Sequence, residues 1–189
     1  MKIKLPNVRL AFPDLYEATQ VNGQGDYKFR STFLIPKERT DLIKQIEAAI
    51  LKVATDKWGA KAEGIIKSIR GNNMRFNFRD GDDKPDYDGY AGNMYISANN
   101  KARPLVIDRD RTPLTAQDGR PYSGCYVNAT IDIFAYENNG NGISASLSGV
   151  QFLRDGDAFA GGGVASVDDF EDISEGADAE AEAEADVFS

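Results

Sequence analysis

The chain has 189 residues, with 22 Lys and Arg against 30 Asp and Glu, no histidine and one cysteine. That length bounds it at one domain, or one domain and a tail. The missing histidines exclude Ser-His-Asp triads, Cys-His dyads and His-ligated zinc, and the lone Cys125 excludes structural disulfides and thiolate clusters.

The start, Met1–Pro6, has no long apolar run, so no signal peptide is expected. No apolar stretch approaches the roughly 18–20 residues that span a bilayer. A soluble protein in the reducing cytoplasm of a cell or infected host follows, with no membrane partner. The first 36 residues have β character, broken by Pro6, Pro13 and Pro36. Within them Tyr27, Phe29, Ser31, Phe33 and Ile35 fall on one face of a strand. Lys28, Arg30, Thr32 and Leu34 fall on the other. A helix follows, with Thr40 as the expected N-cap and Asp41 at its positive end. Leu42, Ile43, Ile46, Ala49, Ile50 and Val53 recur at helical spacing. A second short helix is predicted over Ala60–Ile69.

Residues 75–79, Arg-Phe-Asn-Phe-Arg, alternate as a strand, with Phe76 and Phe78 expected in the core. An acidic Gly/Asp/Pro loop occupies 80–93, before short strands at Met94–Ala98 and Leu105–Ile107. Asp108–Gly124 is a long polar connection, and Cys125–Tyr136 carries the strongest strand pattern. Asn138–Gly142 is a hairpin turn, because Asn and Gly tolerate positive φ. Ile143–Leu153 returns as its partner. The alternating Ala and acids of 177–186 bury too little apolar surface to offset ordering entropy. The domains are therefore 1–154, mainly β with a helical insertion and compatible with an OB-type barrel or equally with another small α+β fold, and 155–189, a disordered acidic tail.

The net charge of −8 argues at first against nucleic acid, but it averages two regions of opposite sign. Residues 1–154 hold all 22 basic groups and 18 acids, a net of +4. The remaining 12 acids lie in the tail, with no Lys or Arg. A basic body with an acidic tail is one pattern of a nucleic-acid-binding protein with an interaction segment, and the charge alone fits a globular body with a solubilising tail equally well.

Single strands are held by cations that neutralise phosphates and by aromatic faces that stack on unpaired bases. Here the two kinds of residue interleave. Lys28 and Arg30 flank Phe29, and Arg75 and Arg79 flank Phe76 and Phe78. Tyr90 and Tyr95 bracket a Gly-containing loop. Lys101, Arg103, Arg109 and Arg111 surround Leu105–Ile107, with Tyr122 shortly after. Tyr90, Tyr95 and Tyr122 are the expected stacking residues, because they border Gly- or Pro-rich loops and tyrosine suits a wet edge.

In the tail, Phe170, Asp186, Val187 and Phe188 form a candidate docking segment for partner proteins. The alternative is a Mg²⁺-dependent nuclease or resolvase using Asp82, Asp83 and Asp86 of the acidic loop. In such sites Pro-Asp precedes an acid-x-Lys from a separate strand, whereas here the order is reversed within one turn. A solvated loop fits better. No phosphate-binding glycine loop or nucleophile elbow occurs. Cys125 reads as a small buried hydrophobe. No metal, cofactor or catalytic residue is expected.

Several segments together carry a resemblance: Val8–Tyr16, Ser31–Lys37, Tyr90–Gly92, Arg103–Asp108, Tyr122–Tyr126 and Gly140–Arg154. In this order they resemble the phage single-stranded DNA-binding proteins typified by that of coliphage T7. The resemblance covers roughly residues 1–154, and the acidic tail matches in character. It implies an OB-fold variant that binds single-stranded DNA without sequence preference. It also implies a tail that competes with DNA and recruits phage or host replication proteins. The expected state is a monomer or homodimer, a choice that the sequence leaves open. Relatives end in an aromatic residue, whereas here Phe188 is followed by Ser189.

Overall fold

The protein is described by a computed structural model covering residues 1–159, 170, 171, 173 and 174. The first strand, β1 (Lys2–Val21), is long because it is bent. Its register shifts between Leu5 and Val8 and again between Ala11 and Asp14, beside Pro6 and Pro13. Proline cannot donate to a ladder, and a bulge is where a strand tolerates it. The bends let Lys2–Arg9 pair with β6 (Tyr126–Glu137) while Arg9–Val21 pairs with β2 (Gln24–Pro36).

The alternation predicted in β2 holds for Phe29, Ser31, Phe33 and Ile35, all buried. Tyr27 is instead exposed, because it lies on the hairpin close to the turn. β2 pairs in an unbroken antiparallel ladder with β4 (Asn93–Asn100). β6 turns at Asn138–Gly140, where Asn139 and Gly140 have positive φ, into β7 (Asn141–Arg154). A parallel pairing of Asn99 with Ser146 joins β4 to β7 and closes the barrel β1-β2-β4-β7-β6. In order of appearance these five strands run 1-2-3-5-4-1, the Greek-key closure of an OB-type barrel. Two short strands extend the sheet, β3 (Phe78–Asp80) on β4 and β5 (Leu105–Ile107) on β7.

The helical insertion lies between β2 and β3. Helix α1 (Thr40–Trp58) turns Leu42, Ile46, Ala49, Ile50 and Ala54 inward. Thr40 is its first residue and not its cap: Arg39 holds the cap position and no side chain caps the helix. Helix α2 (Ala62–Ile69) starts two residues later than predicted, after one turn of 3₁₀ helix. The strand predicted at 75–79 is shorter and later, although Phe76 still forms a bridge to Ile143 and both Phe76 and Phe78 are buried. Cys125 is fully buried, and burial pushes its thiol up to about 11, so it behaves as a hydrophobe.

Most of the acidic tail, residues 160–169, 172 and 175–189, lies outside the described residues, and Asp186, Val187 and Phe188 with it. Phe170 is exposed. Residues 155–159, expected in the tail, pack on the barrel. No helix among the described residues is long and apolar enough to cross a membrane.

Candidate nucleic-acid interface

The outward faces of β2 and β4 form the floor of an open groove of about 710 Å³. Arg30 and Thr32 come from β2, and Tyr95, Ser97 and Asn99 from β4. Its walls are the β1 end of the first hairpin, residues 73–79, the 84–90 loop, and Tyr136 and Ser144 beside the β6–β7 turn. In barrel terms this is the face of strands two and three between the first and last hairpin loops. OB-type folds bind oligonucleotides there.

Four rings cluster at one end, edge to face or tilted. Tyr95 lies 5.0 Å from Tyr90, which lies 5.3 Å from Tyr87 and 6.2 Å from Phe12, all between ring centroids. Tyr90 and Tyr95 are buried with Ala11 and Leu34, and burial pushes the Tyr90 phenol up to about 12. Phe12 and Tyr87 stand above them, 47% and 46% exposed, edge to face at 5.4 Å. The strand bulge at Ala11–Asp14 gives Phe12 a φ of 48°, which an ordinary strand would not allow, and turns its ring outward. Lys84 Nζ sits 5.4 Å from the Tyr87 ring. Met74, Asn77 and Tyr136 contribute to the other wall.

The groove also carries unmet hydrogen-bonding capacity. Arg30 Nε, Asn77 Oδ1, Arg79 Nε and Tyr95 OH are buried and lack a protein partner. All four residues line the groove. Buried polar groups are almost always paired, so such a concentration marks where solvent or a polar ligand completes the bonding. Donors predominate, with Asn77 Oδ1 as acceptor. Of the charged lining residues Arg30, Arg79, Lys84 and Asp14, only Asp14 is acidic, and it lies 4.0 Å from Arg30 Nε.

The acidic loop positions this wall. Lys37 Nζ pairs with Asp80 at 2.8 Å and Asp82 at 2.5 Å, while Asp82 Oδ1 accepts from Gly92 N at 2.8 Å. The lysine bonds hold both carboxyls below the usual range. The loop is thus tied down at both ends around Tyr87 and Tyr90. Asp82, Asp83 and Asp86 form no ligand set: no group of three or more metal-ligating side chains occurs among the described residues.

The predicted site residues divide. Arg30, Arg79, Tyr90 and Tyr95 meet in the groove. Lys28 shares the outward face of β2 with Arg30, and Lys101 follows the end of β4, 3.0 Å from Asp26. Arg103 lies over the Phe29 ring at 5.6 Å. Arg75 does not line the groove. Its guanidinium donates to the carbonyls of Asn138, Asn139 and Gly140 and so braces the β6–β7 turn. Arg109 and Arg111 lie on the exposed turn after β5, and Tyr122 donates to Asp155 Oδ1 at 2.7 Å; none of the three lines the groove.

The exposure expected of Tyr90 and Tyr95 is corrected. They are 3% and 6% exposed, because β1, β2 and Phe159 cover them. Tyr90→Ala therefore costs about 3 kcal/mol of stability by leaving a cavity. A thermal melt several degrees lower is expected, while Tyr90→Phe melts near the unaltered chain.

Sequence reasoning missed Phe12, Tyr87, Lys84 and Asn77. Tyr87 was hidden by its acidic neighbours, although an aromatic between Lys84-Pro85-Asp86 and Asp88-Gly89 is a signal of its own. Phe12 sits next to Pro13, where the strand alternation fails, and that failure marked the bulge.

The chain matches, over residues 1–184, the family described as Enterobacter phage Enc34, ssDNA-binding protein. A protein of Acyrthosiphon pisum secondary endosymbiont phage 1, p50, is 67% identical over 92% of this chain and 95% of its own length. The C-terminally truncated single-stranded DNA-binding protein of bacteriophage Enc34 superimposes with a TM-score of 0.70 at 28% identity, covering 84% of this chain and 88% of that one. The same phage protein in complex with ssDNA gives a TM-score of 0.65 at 27% identity, covering 83% and 88%. Bacteriophage T7 gp2.5, a single-stranded DNA-binding protein, shares the fold at a TM-score of 0.55 and 14% identity, over 92% of this chain and 96% of that one. With its OB-type barrel, the chain belongs to the Enc34 single-stranded DNA-binding protein family.

Proposed function

We propose that the protein binds single-stranded DNA without sequence preference during phage replication and recombination, in the cytoplasm of the infected cell. The observation that carries this reading is the groove on β2 and β4, where exposed rings sit beside unpaired donors. Bases stack on Phe12 and Tyr87. Phosphates lie along Arg30, Arg79 and Lys84, continuing toward Lys28 and Lys101. Stacking tolerates any base, because every base has a π-face. The protein coats DNA and does no chemistry on it. Its acidic tail competes with DNA for the groove and recruits phage or host replication proteins.

A fluorescence anisotropy titration tests the binding. A deoxythymidine oligonucleotide is expected to bind more tightly than a duplex of equal length, and to stay intact with Mg²⁺ present. Its log affinity should fall against log salt with a slope of about −2 to −4, as three to five neutralised phosphates require. Equal affinity for duplex, or cleavage, overturns the reading.

A further inference from the structure

Residues 155–159 were expected to belong to the tail, yet hydrogen bonds and a ring contact tie them to the barrel. Tyr122 OH bonds Asp155 Oδ1 at 2.7 Å. Arg9 donates from Nη2 to the Asp157 carbonyl at 2.8 Å and from Nε to the Gly124 carbonyl at 2.9 Å. Phe159 N donates to the Ser123 carbonyl at 3.0 Å. The Phe159 ring lies 4.3 Å from the Arg9 guanidinium, a cation–π contact.

The barrel is shaped for this segment. A side chain at Gly124 would collide with the backbone at Asp157–Phe159. A Cβ at Gly89 would lie 2.5 Å from Phe159 Cζ. Gly89 stands between Tyr87 and Tyr90, and Phe159 also packs on the cluster of Ala11, Leu34, Tyr90 and Tyr95. The ring thus fills the space behind the loop whose front presents Tyr87 to the groove. A short loop closed around a ring is held by that ring, and loses its fixed geometry when the ring is removed.

We propose that residues 155–159 form a strap whose Phe159 holds the Tyr87–Tyr90 loop in its base-stacking position, making Phe159 a positioning residue for single-strand binding. The proposal rests on the binding reading above. In this arrangement the segment that precedes the rest of the acidic tail braces the aromatic wall from behind.

The test uses the full chain carrying Phe159→Ala, titrated at fixed salt against two oligonucleotides of equal length. One is deoxythymidine, and the other carries the same phosphates with no bases. The expected result is a loss of about 5-fold on the deoxythymidine strand and no change on the base-free strand, because phosphate contacts stay while stacking geometry is lost. Phe159→Leu should recover most of the loss, since an apolar branch still fills the space behind Gly89. Unchanged deoxythymidine binding overturns the proposal, and so does an equal loss on both strands, which is the mark of general destabilisation. Failure of the unaltered chain to bind either strand instead overturns the binding reading itself.

Discussion

A chain carrying both Phe12→Ala and Tyr87→Ala binds a deoxythymidine oligonucleotide about 30-fold more weakly than the unaltered protein, or weaker still. Each ring stacked on a base contributes about 1–3 kcal/mol by alanine substitution. Two such rings at the lower bound amount to about 2 kcal/mol, and 1.4 kcal/mol is tenfold in affinity. The melting temperature should move little, because both rings are nearly half exposed and neither belongs to the core. This separates them from Tyr90, whose removal lowers stability first. The salt dependence should be unchanged, since no cation has been lost. Anisotropy titrations at several salt concentrations read both quantities. A double variant that binds normally places the stacking surface elsewhere.

Ending the chain after Phe159 tightens DNA binding about tenfold at low salt. The twelve acids after Arg154 include Asp155 and Asp157 of the strap, so this truncation removes the other ten and changes the net charge from −8 to +2. A tethered polyanion reaches an effective concentration in the millimolar range near its anchor, and competes there with phosphates for the same cations. Salt screens both partners, so the gain should shrink as ionic strength rises and the Debye length falls below about 8 Å. Ending the chain five residues earlier, at Arg154, removes the strap as well and should forfeit much of the gain. Equal affinity of the full chain and the 1–159 chain at low salt would remove the competition from the account.

Much of the barrel was legible along the chain. The period-two patterns of Phe29–Ile35 and Val127–Ile133 depend only on which side chains can face a core, and both hold in the structure. The Asn-Gly turn at 138–140 was legible for the same local reason. The helix start was not. Thr40 has the chemistry of a cap, but the chain leaving Pro36 begins the helix one residue too early for it to serve.

The groove was legible as a type and not as a place. Interleaved cations and aromatics gave the ingredients, and four of the eleven proposed body residues line the groove. Arg75 and Arg79 look equivalent in sequence, four residues apart around two buried rings. Arg79 lines the groove, while Arg75 is engaged by three carbonyls of a turn more than 60 residues away.

By itself the sequence determined the exclusion of histidine-based and disulfide chemistry, the division of charge into a basic body and an acidic tail, and most strands of the barrel. These follow from composition and local period, which survive any choice of packing. Only the tertiary structure decided which rings of the groove stay exposed. Exposure is set by what packs on a ring from distant parts of the chain: Ala11, Leu34 and Phe159 cover Tyr90 and Tyr95, and leave Tyr87 and Phe12 free.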